Sequence, residues 1–336
     1  MKRTAAVLIA FVLAFGIYSG CDRQEAEIDA NDERVILAVT PWPGSAALYV
    51  ACENGYFEDQ GIEVTLSPYA SGHLGLDATL SGDADLTTVG DTPLARAVVQ
   101  GRPVAVLATL CEINRAVLIV ARKDHGIASL EDLRGRSVGV VEGTTADFFL
   151  HILLSTSYIR TEEVHIVGLE TEAVVDSLLL GEVDAVCTWS PHTTEAIQRL
   201  ADRGIVFDDP GIYKMTWNLA SSMEYAQDHP GRIQKILLAV IKANAYIREH
   251  PEQTLRLVTG RLGVARSELA GDWRDFSFVA TMDQGLLLNL EDQARWMLRR
   301  DSAAHATPNF MEILCPQMLR AVEPAAIGIV TDRNGS

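Results

Sequence analysis

The feature that most constrains this chain is an alternation that runs through twice. Short apolar runs at 35–40, 62–66, 86–89, 104–110 and 116–121 are interleaved with helical patterns at 46–54 and 74–81 and after Asp91. The connections between them are short and rich in Gly, Ser, Asp and Thr. Strands alternating with helices in this way build α/β units, which form mostly parallel sheets flanked by helices. After Lys123 and Asp124 the pattern restarts, with runs at 138–141, 164–169 and 184–187 and helices through 157 and over 172–180, ending near Asp208. Two successive series of similar size predict two lobes rather than one long sheet. From Trp217 onward the character is mainly helical: Ile233, Ile236, Leu237, Val240 and Ile241 fall on one helix face, and further helical patterns follow at 251–262, 290–300 and 310–322.

In open α/β sheets, ligands bind beyond the carboxyl ends of the strands. The turns at those ends supply the candidate ligand-binding residues. Glu142, Gly143, Thr144 and Thr145 join a buried strand to a helix, and a Thr at its N-cap leaves other first-turn amides free for an anion or a carbonyl dipole. Ser45, Ser71 with Gly72, and Asp91 with Thr92 open other helices; capping alone would also account for them. Asn114 follows a strand and suits either a ligand contact or a turn. Trp42, Trp189 and Trp217 fall in the same set of loops, where at least one can form an aromatic wall. The loop charge is mixed: Glu112, Arg115, Glu142 and Asp147 lie nearby with no basic cluster, which weighs against a ligand held by Arg forks. His151, on the helix after Thr145, and His192, beside Trp189, are the two histidines worth testing, and surface or packing roles account for both.

Met1, Lys2 and Arg3 precede an apolar run that is short for a membrane span and fits a signal peptide over residues 1–20. The run ends in Tyr18-Ser19-Gly20-Cys21, which resembles a lipoprotein cleavage box in which Cys21 is lipidated, although Tyr18 stands where that pattern prefers an aliphatic residue. Residues 21–33 are acidic and lack apolar periodicity, as expected of a solvated tether. The formal charge of −17 argues against nucleic acid, and against an anionic membrane surface except through the lipid. Cys52, Cys111, Cys187 and Cys315 show no metal-ligand spacing, so neither a metal site nor a cofactor is expected; their pairing is left open.

Several ordered segments resemble one family of extracytoplasmic binding proteins. They include Trp42-Pro43-Gly44, Asn54-Gly55-Tyr56-Phe57, Gly61-Ile62-Glu63-Val64 and the run from Ser81 through Gly82-Asp83-Ala84-Asp85 to Leu86. Gly90-Asp91-Thr92-Pro93, Val138-Gly139-Val140, Gly143-Thr144-Thr145, Leu180-Gly181-Glu182-Val183-Asp184-Ala185, Pro308-Asn309-Phe310 and Val322-Glu323-Pro324 follow. Each is weak alone; their joint order is the signal. The chain is similar to the solute-binding lipoproteins of ABC importers in the nitrate, sulfonate, taurine and thiamine-precursor group. That resemblance implies a two-lobed type II periplasmic-binding fold with a two-stranded hinge. It places residues 34–121 and 217–336 in lobe 1 and residues 122–216 in lobe 2.

The resemblance also implies a non-catalytic monomer that captures a small solute between its lobes and delivers it to an ABC permease and its ATPase. Its expected place is the periplasmic side of the inner membrane, or the outer face of the cell membrane. Related sulfonate binders often carry Lys and two Ser where this chain has Glu142 with Thr144 and Thr145. A sulfonate, taurine or nitrate therefore stays open beside an aminopyrimidine thiamine precursor or another amine or aromatic ligand. A membrane-tethered sensor and a pyrimidine-synthase-like enzyme are the readings from other classes; the iron-binding cysteine motif of that enzyme is missing here. Replacing Cys21 with Ser is expected to move the protein from the membrane fraction to the soluble fraction. Unchanged fractionation would remove the lipid anchor.

Overall fold

The structure, a computed structural model, describes residues 34–209, 211–300 and 306–329. The signal peptide, Cys21 and the acidic tether lie outside the described residues. Among the described residues no helix is long and apolar enough to cross a membrane.

The first series forms β1 (Arg34–Val39), α1 (Ala46–Glu53), β2 (Glu63–Pro68), α2 (Gly72–Ser81), β3 (Leu86–Gly90), α3 (Asp91–Val99) and β4 (Val104–Ile113). The second forms β5 (Val117–Arg122), β6 (Ser137–Val140), α4 (Thr145–Thr156), β7 (His165–Gly168), α5 (Val174–Leu180), β8 (Ala185–Trp189), α6 (His192–Leu200) and β9 (Gly204–Phe207). The chain continues through β10 (Met215–Ser222), α7 (Met223–Asp228), α8 (Pro230–Glu249), α9 (Pro251–Leu262) and α10 (Arg266–Leu269). Last come β11 (Phe276–Asp283), α11 (Gln284–Arg300), α12 (Pro316–Val322) and β12 (Ile327–Gly328).

These strands make two sheets, ordered β12-β11-β4-β10-β3-β1-β2 and β7-β6-β8-β5-β9. Two sheets flanked by helices are the predicted two-lobed α/β architecture. The sheets are mixed, however, rather than mostly parallel. β1 runs parallel to β2 and β3, and β6 parallel to β7 and β8, while β4, β10, β5 and β9 all pair antiparallel with neighbouring strands. The physical reason is connectivity. β4 leads out of the first sheet and β10 back into it, while β5 leads into the second sheet and β9 out of it, so each pair must run in opposite directions.

The crossing points correct the expected boundaries. β5 pairs with β8 and β9 of the second sheet, so the outward crossing is at residues 114–116 rather than after 121. The return runs from Asp208 to Lys214, ahead of the expected 216. Sequence alone cannot separate 116–121 from the preceding strand, because both are apolar runs with a short polar break. Three strands went unread: β9, whose apolar stretch is three residues long, β11, whose faces are only half-buried, and β12, which is two residues long.

Period-two alternation divides the core of the second sheet. Val120 and Val186 face Val174, Leu178, Ala196 and Leu200 of α5 and α6. Ile119, Ala185 and Cys187 belong to the larger core, which includes Phe148, Phe149, Leu153 and Leu154 of α4 and continues into the first lobe. Phe148 packs at 5.4 Å from both Tyr213 of the return crossing and Trp296 of α11. The two crossings are tied to each other by Arg115 Nε to Asp208 Oδ2 at 2.5 Å, and the return is tied to β4 by Lys214 Nζ to Glu112 Oε2 at 3.0 Å. Each of these pairs is partly exposed, so neither contributes more than about 1 kcal/mol.

The deeper tie is Asp91, which has no exposed surface. Its carboxylate accepts from Tyr213 Oη at 2.6 Å, the Thr216 amide at 3.2 Å and the Thr92 amide at 2.9 Å. Removing it with Asp91→Ala strands the Tyr213 hydroxyl and the Thr216 amide, and is expected to cost about 2–4 kcal/mol. Burial raises the Asp91 carboxyl above the ordinary carboxylate range, although the surrounding donors draw it partly back. Stability linked to this group is therefore complete at low pH and declines as pH rises through the folded value. Asp91→Asn lacks that decline, and urea unfolding from about pH 4 to about pH 7 should show the difference. Parallel profiles for wild type and Asp91→Asn would contradict it.

Candidate ligand-binding cleft

A cleft of about 420 Å³ lies between the carboxyl ends of the two sets of strands. From the first lobe it takes Thr40, Trp42, Ser71, Gly72, His73, Pro93, Arg96 and Trp217, and from the second Glu142, Gly143, Thr144, Thr145, Trp189 and His192. Nine of the thirteen expected residues thus meet in one place: Trp42, Ser71, Gly72, Glu142, Gly143, Thr144, Thr145, Trp189 and Trp217.

Four expected contacts fall outside the lining, each for a visible reason. Ser45 is fully buried and accepts from Trp217 Nε1 at 3.2 Å, so it orients a cleft residue from behind. Asp91 and Thr92 turn inward to the return crossing; Gly90, not Asp91, is the N-cap of α3. Asn114 is exposed in the outward crossing, where its amide donates to Asp275 O at 3.3 Å, as the turn reading has it.

The aromatic wall is built from Trp42 and Trp217, with ring centroids 5.0 Å apart. Gly44 makes this possible, because a Cβ there would overlap the Trp42 ring. Across the cleft Trp189 meets His192 at 6.0 Å, edge to face. Burial holds His192 below its ordinary value, so it lines the cleft as a neutral ring at pH 7. His151 instead packs against Trp296 at 6.0 Å.

The loop before α4 differs from its expected capping. Thr144 is the N-cap, but its hydroxyl donates to Val141 O at 2.7 Å and caps no amide. Asp147 Oδ2 accepts from the Gly143 amide at 2.8 Å. Among the described residues the amides of Thr145, Ala146 and Asp147 have no acceptor within the protein. Three unpartnered donors then sit together with the positive end of the helix dipole.

Arg96 is the main residue that sequence reading missed. It sits on α3 behind Pro93, and its guanidinium packs on Gly143, where φ is +70° and a Cβ would overlap it. Its Nε is buried without a hydrogen-bond partner, as are Trp42 Nε1 and Thr40 Oγ1. Among the described residues Arg96 joins no ion pair, whereas Arg300 pairs with Glu142 at 3.3 Å and Asp147 at 2.5 Å. Arg96 lies three residues, just under one helical turn, beyond the Gly90-Asp91-Thr92-Pro93 motif, on the body of α3, so only a helical-face count from Pro93 could have found it. The unpartnered side-chain nitrogens of the cleft, Arg96 Nε and Trp42 Nε1, are both donors, and Arg300 engages the carboxylates of Glu142 and Asp147.

The sequence model of the NMT1/THI5-like family matches residues 42–254, which include the cleft-lining residues from Trp42 to Trp217. The chain belongs to the NMT1/THI5-like family. Among its relatives is a protein of Brucella abortus (strain 2308) described as a binding protein, 22% identical over 236 residues, or 67% of this chain and 70% of the relative. The taurine-binding periplasmic protein of Escherichia coli (strain K12) is 24% identical over 210 residues, 61% of this chain and 63% of the relative. A desulfinase of Rhodococcus erythropolis acting on 2'-hydroxybiphenyl-2-sulfinate is 26% identical over 138 residues, 40% of this chain and 36% of the relative. The solved periplasmic aliphatic sulphonate binding protein of Escherichia coli superposes with a TM-score of 0.72 at 18% identity, covering 85% of this chain and 98% of that one. This last likeness establishes the periplasmic-binding fold.

Proposed function

We propose that the protein is the extracytoplasmic solute-binding component of an ABC importer and that its ligand is a small organic anion. The observation that carries the reading is the pairing of Arg96, whose Nε is buried and unpartnered, with the unpartnered amides that open α4 on the other lobe. An oxyanion accepted by both would bind the lobes to each other, and its contacts to both favour the closed state by their differential free energy. The apolar part of the ligand then rests on Trp42, Trp189 and Trp217. A sulfonate of the taurine or alkyl type meets these demands, in keeping with the ligands named for the relatives.

The aminopyrimidine alternative leaned on Glu142 as a free carboxylate. Arg300 now answers that carboxylate, so the amine reading loses its main support. The reading is also non-catalytic. No cysteine is among the cleft-lining residues, and burial pushes the Cys111 and Cys187 thiols up, away from the reactive thiolate. Among the described residues Cys52, Cys111, Cys187 and Cys315 are all free thiols. Delivery to a permease and its ATPase, lipid anchoring through Cys21 on the periplasmic face, and action as a monomer complete the proposal.

A thermal-shift screen with taurine, hexanesulfonate, nitrate and an aminopyrimidine should raise the melting temperature with a sulfonate, because a ligand that binds the native state stabilises it. Calorimetry on Arg96→Gln should then show binding weaker by about 10–100-fold, the worth of one charge-assisted hydrogen bond. A response confined to the aminopyrimidine, or equal affinity in Arg96→Gln, would overturn the anion reading.

A further inference from the structure

α11 belongs to both lobes. It is rooted in the first, where Asp283 Oδ1 accepts from the Leu286 amide at 3.1 Å and the helix lies along α3. Midway it meets the return crossing, where Asn289 Nδ2 donates to Lys214 O at 2.7 Å. Its C-terminal end rests on the second lobe: Trp296 meets Phe148 edge to face, and Arg300 ends the helix against Glu142 of the cleft lining.

There the Arg300 guanidinium donates from Nη1 to Asp147 Oδ2 at 2.5 Å and from Nη2 to Glu142 Oε1 at 3.3 Å. The same Asp147 oxygen receives the Gly143 amide at 2.8 Å. The Asp147 side chain is only 3% exposed, so water screens it little, and Arg300 is the cation that answers it. Glu142 and Asp147 bracket the α4 N-terminus. Without Arg300 they would set two negative charges beside the amides that an anion needs.

We propose that Arg300 is a positioning residue for ligand capture: acting from a first-lobe helix, it holds the Gly143–Thr144 loop through Asp147 and neutralises the carboxylates flanking the α4 amides. This rests on the anion-binding reading above. Arg300 is not among the residues that line the cleft, so its effect reaches the ligand through the loop and through charge. It also makes the second lobe's ligand loop dependent on contact with the first lobe, so that loop order and lobe closure are coupled.

The test uses the full chain and two readouts. Hydrogen exchange without ligand should be faster at the Gly143 amide in Arg300→Gln than in wild type, with Arg300→Lys in between; equal exchange would overturn the loop-holding role. Calorimetry with hexanesulfonate should show about tenfold weaker binding in Arg300→Gln, partly restored in the double variant Glu142→Gln/Arg300→Gln, which removes one of the unmasked charges. Loss without any restoration would mean a purely structural role and overturn the charge argument. If wild type binds no anion at all, the functional reading fails, and the exchange result still decides whether Arg300 holds the loop.

Discussion

Asp91 carries a fully buried carboxylate at the first position of α3, where the chain returning from the second lobe passes it. Four donors converge on it, and three of them, the Tyr213 hydroxyl and the Thr216 amide and hydroxyl, belong to the return segment and the start of β10. A carboxylate in such a place is costly to bury and costlier to leave unpaired, so the geometry around it is strongly specified. Much else follows from that specification. α3 is fixed to the hinge, and Arg96 on its far side is thereby aimed at Gly143 of the opposite lobe. Tyr213 in turn meets Phe148 edge to face, which joins the α4 core to the return crossing. The distance between the proposed anion anchor and the proposed anion loop is thus set by a buried interaction that no ligand touches.

The architecture was readable because its signals are local. Apolar runs, glycine turns and helix starts recur at regular intervals, and strands such as β3 and helices such as α4 lie where those signals put them. The boundaries were less readable because they depend on pairing. Nothing in the run 116–121 says that β5 hydrogen-bonds to β8 and β9 rather than to the first sheet. Loop residues of the cleft were found by the same local logic. Arg96 was not, since it projects from a helix body and reaches the cleft only through the approach of the lobes. Ser45 and Asp91 were read as contacts because capping residues and ligand-contact residues look alike in sequence; burial alone separates them.

The largest change between sequence and structure concerns charge. From the sequence, Glu142 stood beside the candidate loop as an unanswered carboxylate, which argued against an anion. In the fold that carboxylate and Asp147 both meet Arg300, a residue 153 positions away from Asp147 and on an element read only as part of a helical tail. Left without a partner at the cleft, among the described residues, are Arg96 Nε, Trp42 Nε1, the Thr40 hydroxyl and the first-turn amides of α4. Donors that are buried and unpartnered cost free energy in the empty protein, and an acceptor-rich ligand removes that cost on binding. The same physical balance is what supports the proposed negative sign of the ligand.

Because Trp42, Trp189 and Trp217 all line the cleft, the protein carries its own reporter of what enters it. The most direct measurement is an intrinsic-fluorescence titration with two compounds of one carbon skeleton, hexanesulfonate and hexylammonium. The donor-lined cleft predicts a saturable change in tryptophan emission with the sulfonate and none with the ammonium. Saturation by the ammonium alone would contradict the account.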